Sequence, residues 1–388
     1  MRKNLIPILI SFLLLNCSQN TDTQNTDDKE NDNIIHNTAF DSGEQKDISI
    51  EFVRQLGDLE SADENYSFYM PSDFILDKEG NIYITDEGNY RIQKFDRDGN
   101  FIAGYGKQGQ GPNEFSAMNA IAIDDAGNLY ISDHMKNRIV ALSSAGKEFK
   151  RYEADKLYGP IETLKSGNFI KPSYNYEGDL ISIISREGKK VSGFGEIKQF
   201  REKELTQASR NASITKDIDE NIYIAYQTRN LIEKYSSEGN LLLQFDREIN
   251  FNETEEFKMK KYNINGQEFQ FPEINNISAG IAVADNGRIW VATYTRQLNE
   301  SEMSVVSSMS VTDRGGGNTQ LIEKKLHSNS DLAKTDIYLL EVFDAAGSLL
   351  TQIPIDCYCN KIKIFGDRLF ILDTRKGMCV YEYRIIEK

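Results

Sequence analysis

The chain alternates short apolar and polar runs punctuated by turn residues. Asp77-Lys78-Glu79-Gly80-Asn81-Ile82-Tyr83-Ile84-Thr85-Asp86 recurs 47 residues later as Asp124-Asp125-Ala126-Gly127-Asn128-Leu129-Tyr130-Ile131-Ser132-Asp133. In each copy an Asp/Gly/Asn turn, made of residues that tolerate positive φ, precedes a strand of β-branched and aromatic residues. Each copy then reaches an Arg-Ile pair, Arg91-Ile92 or Arg138-Ile139, and a turn glycine, Gly99 or Gly146. Weaker copies follow around Asn168, Asn221, Arg288 and Arg368. From anchor to turn glycine the spacing is 18, 18, 20 and 18 residues in the first four repeats. This regularity predicts an all-β fold: six four-stranded antiparallel blades set radially, a six-bladed β-propeller. The sixth repeat meets the C-terminus with three strands, the third near Val380–Arg384. The run Ile48–Leu56, ahead of the first full repeat, is expected to complete that last blade, closing the ring and covering its open edge.

Residues 1–17 lie outside this pattern. Arg2 and Lys3 precede an apolar stretch, Leu5–Leu15, broken by Pro7 and Ser11. At ~1.5 Å per residue it is too short to cross a ~30 Å hydrocarbon core, so it reads as a signal peptide. Leu14-Leu15-Asn16-Cys17 resembles the lipobox of bacterial lipoproteins, in which the cysteine is acylated and becomes the mature N-terminus. An ordinary secretory signal with a chance cysteine is the alternative. Acyl chains on Cys17 would anchor the protein to a membrane, with the outer membrane, periplasmic or surface-facing, as the expected address. Residues 18–47 are polar and predict a flexible tether. The propeller then occupies 48–388, with an insertion at about 297–335 in the fifth blade.

The motif Gly106-x-x-Gly109-x-Gly111-Pro112-Asn113-Glu114-Phe115, with Asn89-x-Arg91-Ile92 and Asn137-Arg138-Ile139, resembles NHL-repeat propellers, especially the six-bladed propeller lipoproteins of Gram-negative bacteria. The resemblance covers about 48–388 and implies a fold and an address rather than an activity.

Charge and chemistry narrow the function. A net charge of −15 argues against nucleic acid as a partner, because phosphate binding needs a basic surface. Gly104–Gly111 contains Lys107 but continues into Pro112 and Asn113, so it fails as a phosphate loop and reads as a connection between blades. The three histidines, His36, His134 and His327, lack metal-ligand spacing. Asp86, Asp133 and Asp373 recur just after the second strand of their blades, where an Asp accepting backbone N–H bonds would brace the hairpin. Cys357, Cys359 and Cys379 fall on one face of the last blade, and in an oxidising compartment Cys379 is expected to pair with Cys357 or Cys359.

Alternating strand direction puts the second hairpins and the inter-blade connections on one face, and the long excursions fall there. Arg288 and Gly347 are 59 residues apart, where other repeats use about 18. Long loops in compact folds are commonly functional or disordered. The same tips carry Arg91, Arg138, Arg229, Arg296 and Arg375, with Tyr174, Tyr176, Tyr226 and Tyr294. Guanidinium groups suit carboxylates, and tyrosines suit sugar or peptide faces. Arg91 and Arg138 also belong to the repeat motif, where they could tie blades together. The expectation is a monomeric recognition protein binding a protein, peptide or glycan on this face, with no catalytic set and no cofactor. The alternative is a metal-dependent hydrolase or lyase of the gluconolactonase or amidoglycolate-lyase kind, which would bring calcium or zinc. Replacing Cys17 by Ser is predicted to abolish incorporation of labelled palmitate and to move the protein from the membrane to the soluble fraction.

Overall fold

The computed structural model describes residues 34–38, 47–58, 61–154, 157, 159–173, 178–256, 258–264, 267–299, 302 and 334–387. Cys17, His327, Tyr174 and Tyr176 lie outside them, as do the signal segment, most of the tether and nearly all of the fifth-blade insertion.

Six antiparallel sheets follow one another in chain order. Blade 1 holds Pro71–Leu76, Ile82–Asp86, Arg91–Phe95 and Phe101–Tyr105. Blade 2 holds Met118–Ile123, Leu129–Asp133, Arg138–Leu142 and Glu148–Glu153. Blade 3 holds Glu162–Thr163, Phe169–Pro172, Ile181–Ile184 and Lys190–Phe194. Blade 4 holds Ala212–Lys216, Ile222–Tyr226, Ile232–Tyr235 and Leu241–Arg247. Blade 5 holds Ser278–Val283, Ile289–Tyr294, Lys334–Phe343 and Leu349–Cys357. Blade 6 takes Lys361–Phe365, Arg368–Asp373 and Cys379–Glu387 from the C-terminal end, and its outer strand is Ile48–Leu56. Ile48 pairs with Glu387 and Leu56 with Val380, so the ring closes as the repeat count requires.

The turn that opens each strong repeat is fixed by one recurring network. Asp77 accepts hydrogen bonds from the backbone N–H and side-chain amide of Asn81, both at 2.8 Å, and from the Tyr83 hydroxyl at 3.1 Å. Asp124, Asn128 and Tyr130 repeat this in blade 2, and Asp217, Asn221 and Tyr223 in blade 4. Blade 5 has Ala284 at the Asp position, and the indole N–H of Trp290 is buried without an acceptor among the described residues.

The apolar core is split into six clusters, one in each gap between neighbouring blades. The gap that closes the ring packs Leu56, Phe74, Ile84 and Phe95 against Phe370, Leu372 and Val380. Each fully buried Phe there contributes about 2–3 kcal/mol of hydrophobic stabilisation. A buried carboxylate fastens the same junction. Glu382, 2% exposed, forms ion pairs with Arg54 at 2.9 Å and Arg368 at 2.7 Å.

Part of the segment read as a tether is seated on the ring. Ile35–Asn37 runs parallel to Phe245–Arg247 as a fifth strand of blade 4. The Asn37 amide donates to the Asp246 and Gly347 carbonyls, both at 2.9 Å, and its oxygen accepts from Leu349 N–H at 2.8 Å. One side chain thus satisfies backbone groups on two blades, which polar composition alone does not reveal.

Replacing Glu382 by Gln leaves two guanidinium groups facing a neutral amide. We predict a loss on the order of 3 kcal/mol in urea unfolding, with the deficit reduced when Arg54 is also replaced by Met.

Candidate functional site

Two places gather charged side chains: the loop-rich face and the axis of the ring. The face is built by the second hairpins and the connections between blades, and the motif residues there prove to be struts. Asp86 accepts from Tyr69 N–H and the Asn89 amide, both at 2.7 Å, and from Arg91 Nε at 2.8 Å. Arg91 then reaches the carbonyls of Glu64 and Ser67 at 2.8 Å. Arg138 repeats this with Asp133 at 2.9 Å and the Glu114 carbonyl at 2.9 Å. Asp373 accepts the backbone N–H groups of Arg375, Lys376 and Gly377 within 2.9 Å. The glycine-rich connection is likewise structural. Glu114 accepts from Gln110 and Gly111 N–H at 2.9 and 2.7 Å, and a Cβ on Gly106 would lie 2.7 Å from the Phe115 ring.

The remaining sequence-derived candidates divide. Arg296 is held by Glu302 in a bidentate pair at 2.7 and 2.8 Å, and also pairs with Asp336. Tyr226 is fully buried with its hydroxyl on Glu233 at 2.7 Å. Tyr294 is buried against Tyr338, ring to ring at 4.7 Å. Neither tyrosine offers a ring to a ligand. Arg229 lies over the Tyr226 ring at 4.4 Å, and no carboxylate lies within ion-pair distance of it among the described residues. Arg375 also lacks an ion pair among the described residues, and its Nε is buried without an acceptor. The five arginines therefore reduce to two, on the blades either side of blade 5.

Cys357, Cys359 and Cys379 are buried free thiols, so the expected pairing of Cys379 with Cys357 or Cys359 is not formed. The Cys357 thiol packs 3.7 Å from the Tyr383 hydroxyl, and burial pushes its pKa up to about 12. Burial also raises the other two, which keeps all three protonated.

The axial cluster was not legible in the sequence. The inner strands of successive blades lie side by side around the axis. From them come Asp73 of blade 1, Glu162 of blade 3, Lys216 of blade 4, and Lys361 and Lys363 of blade 6. Asp73 is fully buried and lies 2.8 Å from Lys361 and 3.4 Å from Lys363. Burial works to raise its carboxyl pKa, but the two ammonium groups outweigh that and hold it below the usual range. Glu162 feels the charges of Lys363, Lys216, Asp73 and Lys361. Blades 3 and 6 stand opposite each other in a ring of six, each with its inner strand nearest the axis. Burial raises the Glu162 carboxyl despite the lysines.

A family model described as a 6-bladed beta-propeller, DUF5128, matches residues 23–269. The chain belongs to the DUF5128 family. That match ends within the connection after blade 4, so blade 5 and the three C-terminal strands of blade 6 of this DUF5128 propeller, with Arg296, Arg375 and the blade 6 lysines, lie outside it. A solved member of the DUF4221 family from Bacteroides vulgatus is 11% identical, with a TM-score of 0.55 over 89% of this chain and 100% of that one. A protein from Bacteroides fragilis is 10% identical, with a TM-score of 0.53 over 92% of this chain and 99% of that one. Virginiamycin B lyase from Staphylococcus aureus is 13% identical, with a TM-score of 0.46 over 87% of this chain and 100% of that one. The likenesses to the two Bacteroides proteins show a shared fold.

Glu87, at the blade 1 hairpin, is half-buried, and desolvation alone pushes its carboxyl up to about 7. A folded-state value above the unfolded one means that its contribution is present at low pH and lost as pH rises through about 7. Glu87→Gln is therefore predicted to be more stable than the parent at alkaline pH, on the order of 2 kcal/mol, with the gap closing in acid; thermal melts across pH measure it.

Proposed function

We propose that this chain is a membrane-anchored extracytoplasmic recognition protein whose loop-rich face binds an anionic glycan or a peptide carboxylate. The observation that carries this reading is the state of Arg229 and Arg375. In a chain of net charge −15, these two guanidinium groups make no ion pair among the described residues, where the neighbouring arginines spend their donors on carboxylates and carbonyls. A guanidinium with free N–H donors matches a carboxylate in two parallel hydrogen bonds. The lipid anchor at Cys17 and the envelope address belong to the same proposal and rest on the signal-like segment and lipobox resemblance.

A hydrolase or lyase is the second reading, favoured by Glu87. Its carboxyl titrates near neutrality, which suits proton transfer, and His134 occupies the equivalent hairpin position in blade 2. Among the described residues, no group of three or more His, Cys, Asp or Glu is placed to hold a metal ion.

Screening on an array of uronate-containing oligosaccharides and peptides with free C-termini is expected to give ligands whose binding is lost in R229E/R375E and retained in R91K. Ligands bound equally by the charge-reversed protein would refute the recognition reading. Turnover of an array ligand that disappears in E87Q would establish the second reading instead.

A further inference from the structure

We propose that the axial channel binds a carboxylate-bearing small molecule, held by the ammonium groups of Lys216 and Lys363 with Glu162 as a hydrogen-bond donor. The inference rests on the axial side chains and not on the rim arginines, so it stands or falls separately from the recognition reading.

The charges on the axis do not balance by themselves. Asp73 is already committed: its Oδ1 accepts from Lys361 at 2.8 Å and Phe74 N–H at 2.8 Å and lies 3.4 Å from Lys363, while its Oδ2 accepts from Ile121 N–H at 3.2 Å. The side chains of Lys216 and Glu162 make no hydrogen bond or ion pair among the described residues. Three ammonium groups therefore share one committed carboxylate and one that touches none of them. Their crowding has a cost. Burial lowers the pKa of the Lys361 amine, and the neighbouring Lys363 lowers it further. An anionic oxygen placed between blades 3, 4 and 6 would meet Lys216 and Lys363 and relieve that repulsion. Lys361 and Lys363 are already held by Asp73, so part of the site is ordered before a ligand arrives.

Glu162 sets the ligand's chemistry. Ionised, it repels an incoming carboxylate; protonated, it donates a hydrogen bond to it. Burial in this channel already favours the protonated form, and the charged groups facing it are Lys363, Lys216, Asp73 and Lys361. Binding is then coupled to proton uptake at Glu162. Its folded pKa lies above the ordinary carboxyl value, so affinity is greatest below that pKa and falls as pH rises through it.

The test is calorimetric titration of the purified full chain with galacturonate, galactose and inorganic phosphate, in mildly acidic and mildly alkaline solution, each in two buffers of different ionisation enthalpy. Galacturonate should saturate, with proton uptake, a site that R229E/R375E retains, galactose should not bind there, and phosphate should bind more weakly than galacturonate. K216M and K363M should each weaken galacturonate by about tenfold or more. E162Q should keep the affinity but lose both the proton uptake and the pH dependence. K216M removes a charge that holds no partner, so its melting temperature should equal or exceed the parent's, which separates lost binding from lost folding. The proposal is overturned if galacturonate and galactose behave alike, if a folded K216M binds galacturonate as the parent does, or if phosphate binds more tightly than galacturonate.

Discussion

The architecture depends on one junction, where Ile48–Leu56 hydrogen-bonds along Val380–Glu387. Each core cluster lies in a gap between two blades, so a blade is stabilised only by its two neighbours. A row of such units has two bare ends. Joining them turns the ends into a sixth gap, with Phe74 and Phe370 packed across it and Glu382 bridging Arg54 and Arg368. The axis exists because of this closure. Asp73 of the first blade meets Lys361 and Lys363 of the last only when the ring is shut.

The blades were legible because the information that specifies them is local. Asp77, Asn81 and Tyr83 form a network within seven consecutive residues, and the same letters recur in blades 2 and 4. The closing strand was legible by subtraction, since the last repeat lacked one. Blade 3 was faint for a physical reason: Leu164 stands at the turn position that Asp holds in blades 1, 2 and 4, so only Gly167 and Asn168 mark it. The clip at Asn37 was hidden because its partners, Asp246 and Gly347, lie far along the chain.

The site was much less legible. Arg91, Arg138 and Arg296 drew notice as cations on a shared face, yet each is held by a carboxylate nearby in sequence or across its blade. Recurrence marked struts, while Arg229 and Arg375, which form no ion pair among the described residues, belong to no motif. The axial charges carry no spacing signal at all. Asp73, Glu162, Lys216, Lys361 and Lys363 come from four blades, and only the radial arrangement brings them together. A buried ionisable group on an inner strand of a propeller, invisible as a motif, is the type of signal that could have found them.

The short strand Ile35–Asn37 changes how the outside of the ring can be approached. The outermost strand of any blade carries a row of unsatisfied peptide groups, a template on which a foreign chain can build. On blade 4 the protein's own leader occupies that row at Phe245–Arg247. A proteolytic cut just after Asn37 would strip this cover and offer the ledge to a neighbour, favouring edge-to-edge self-association. The leader is thus a built-in guard against sticking as well as a connector.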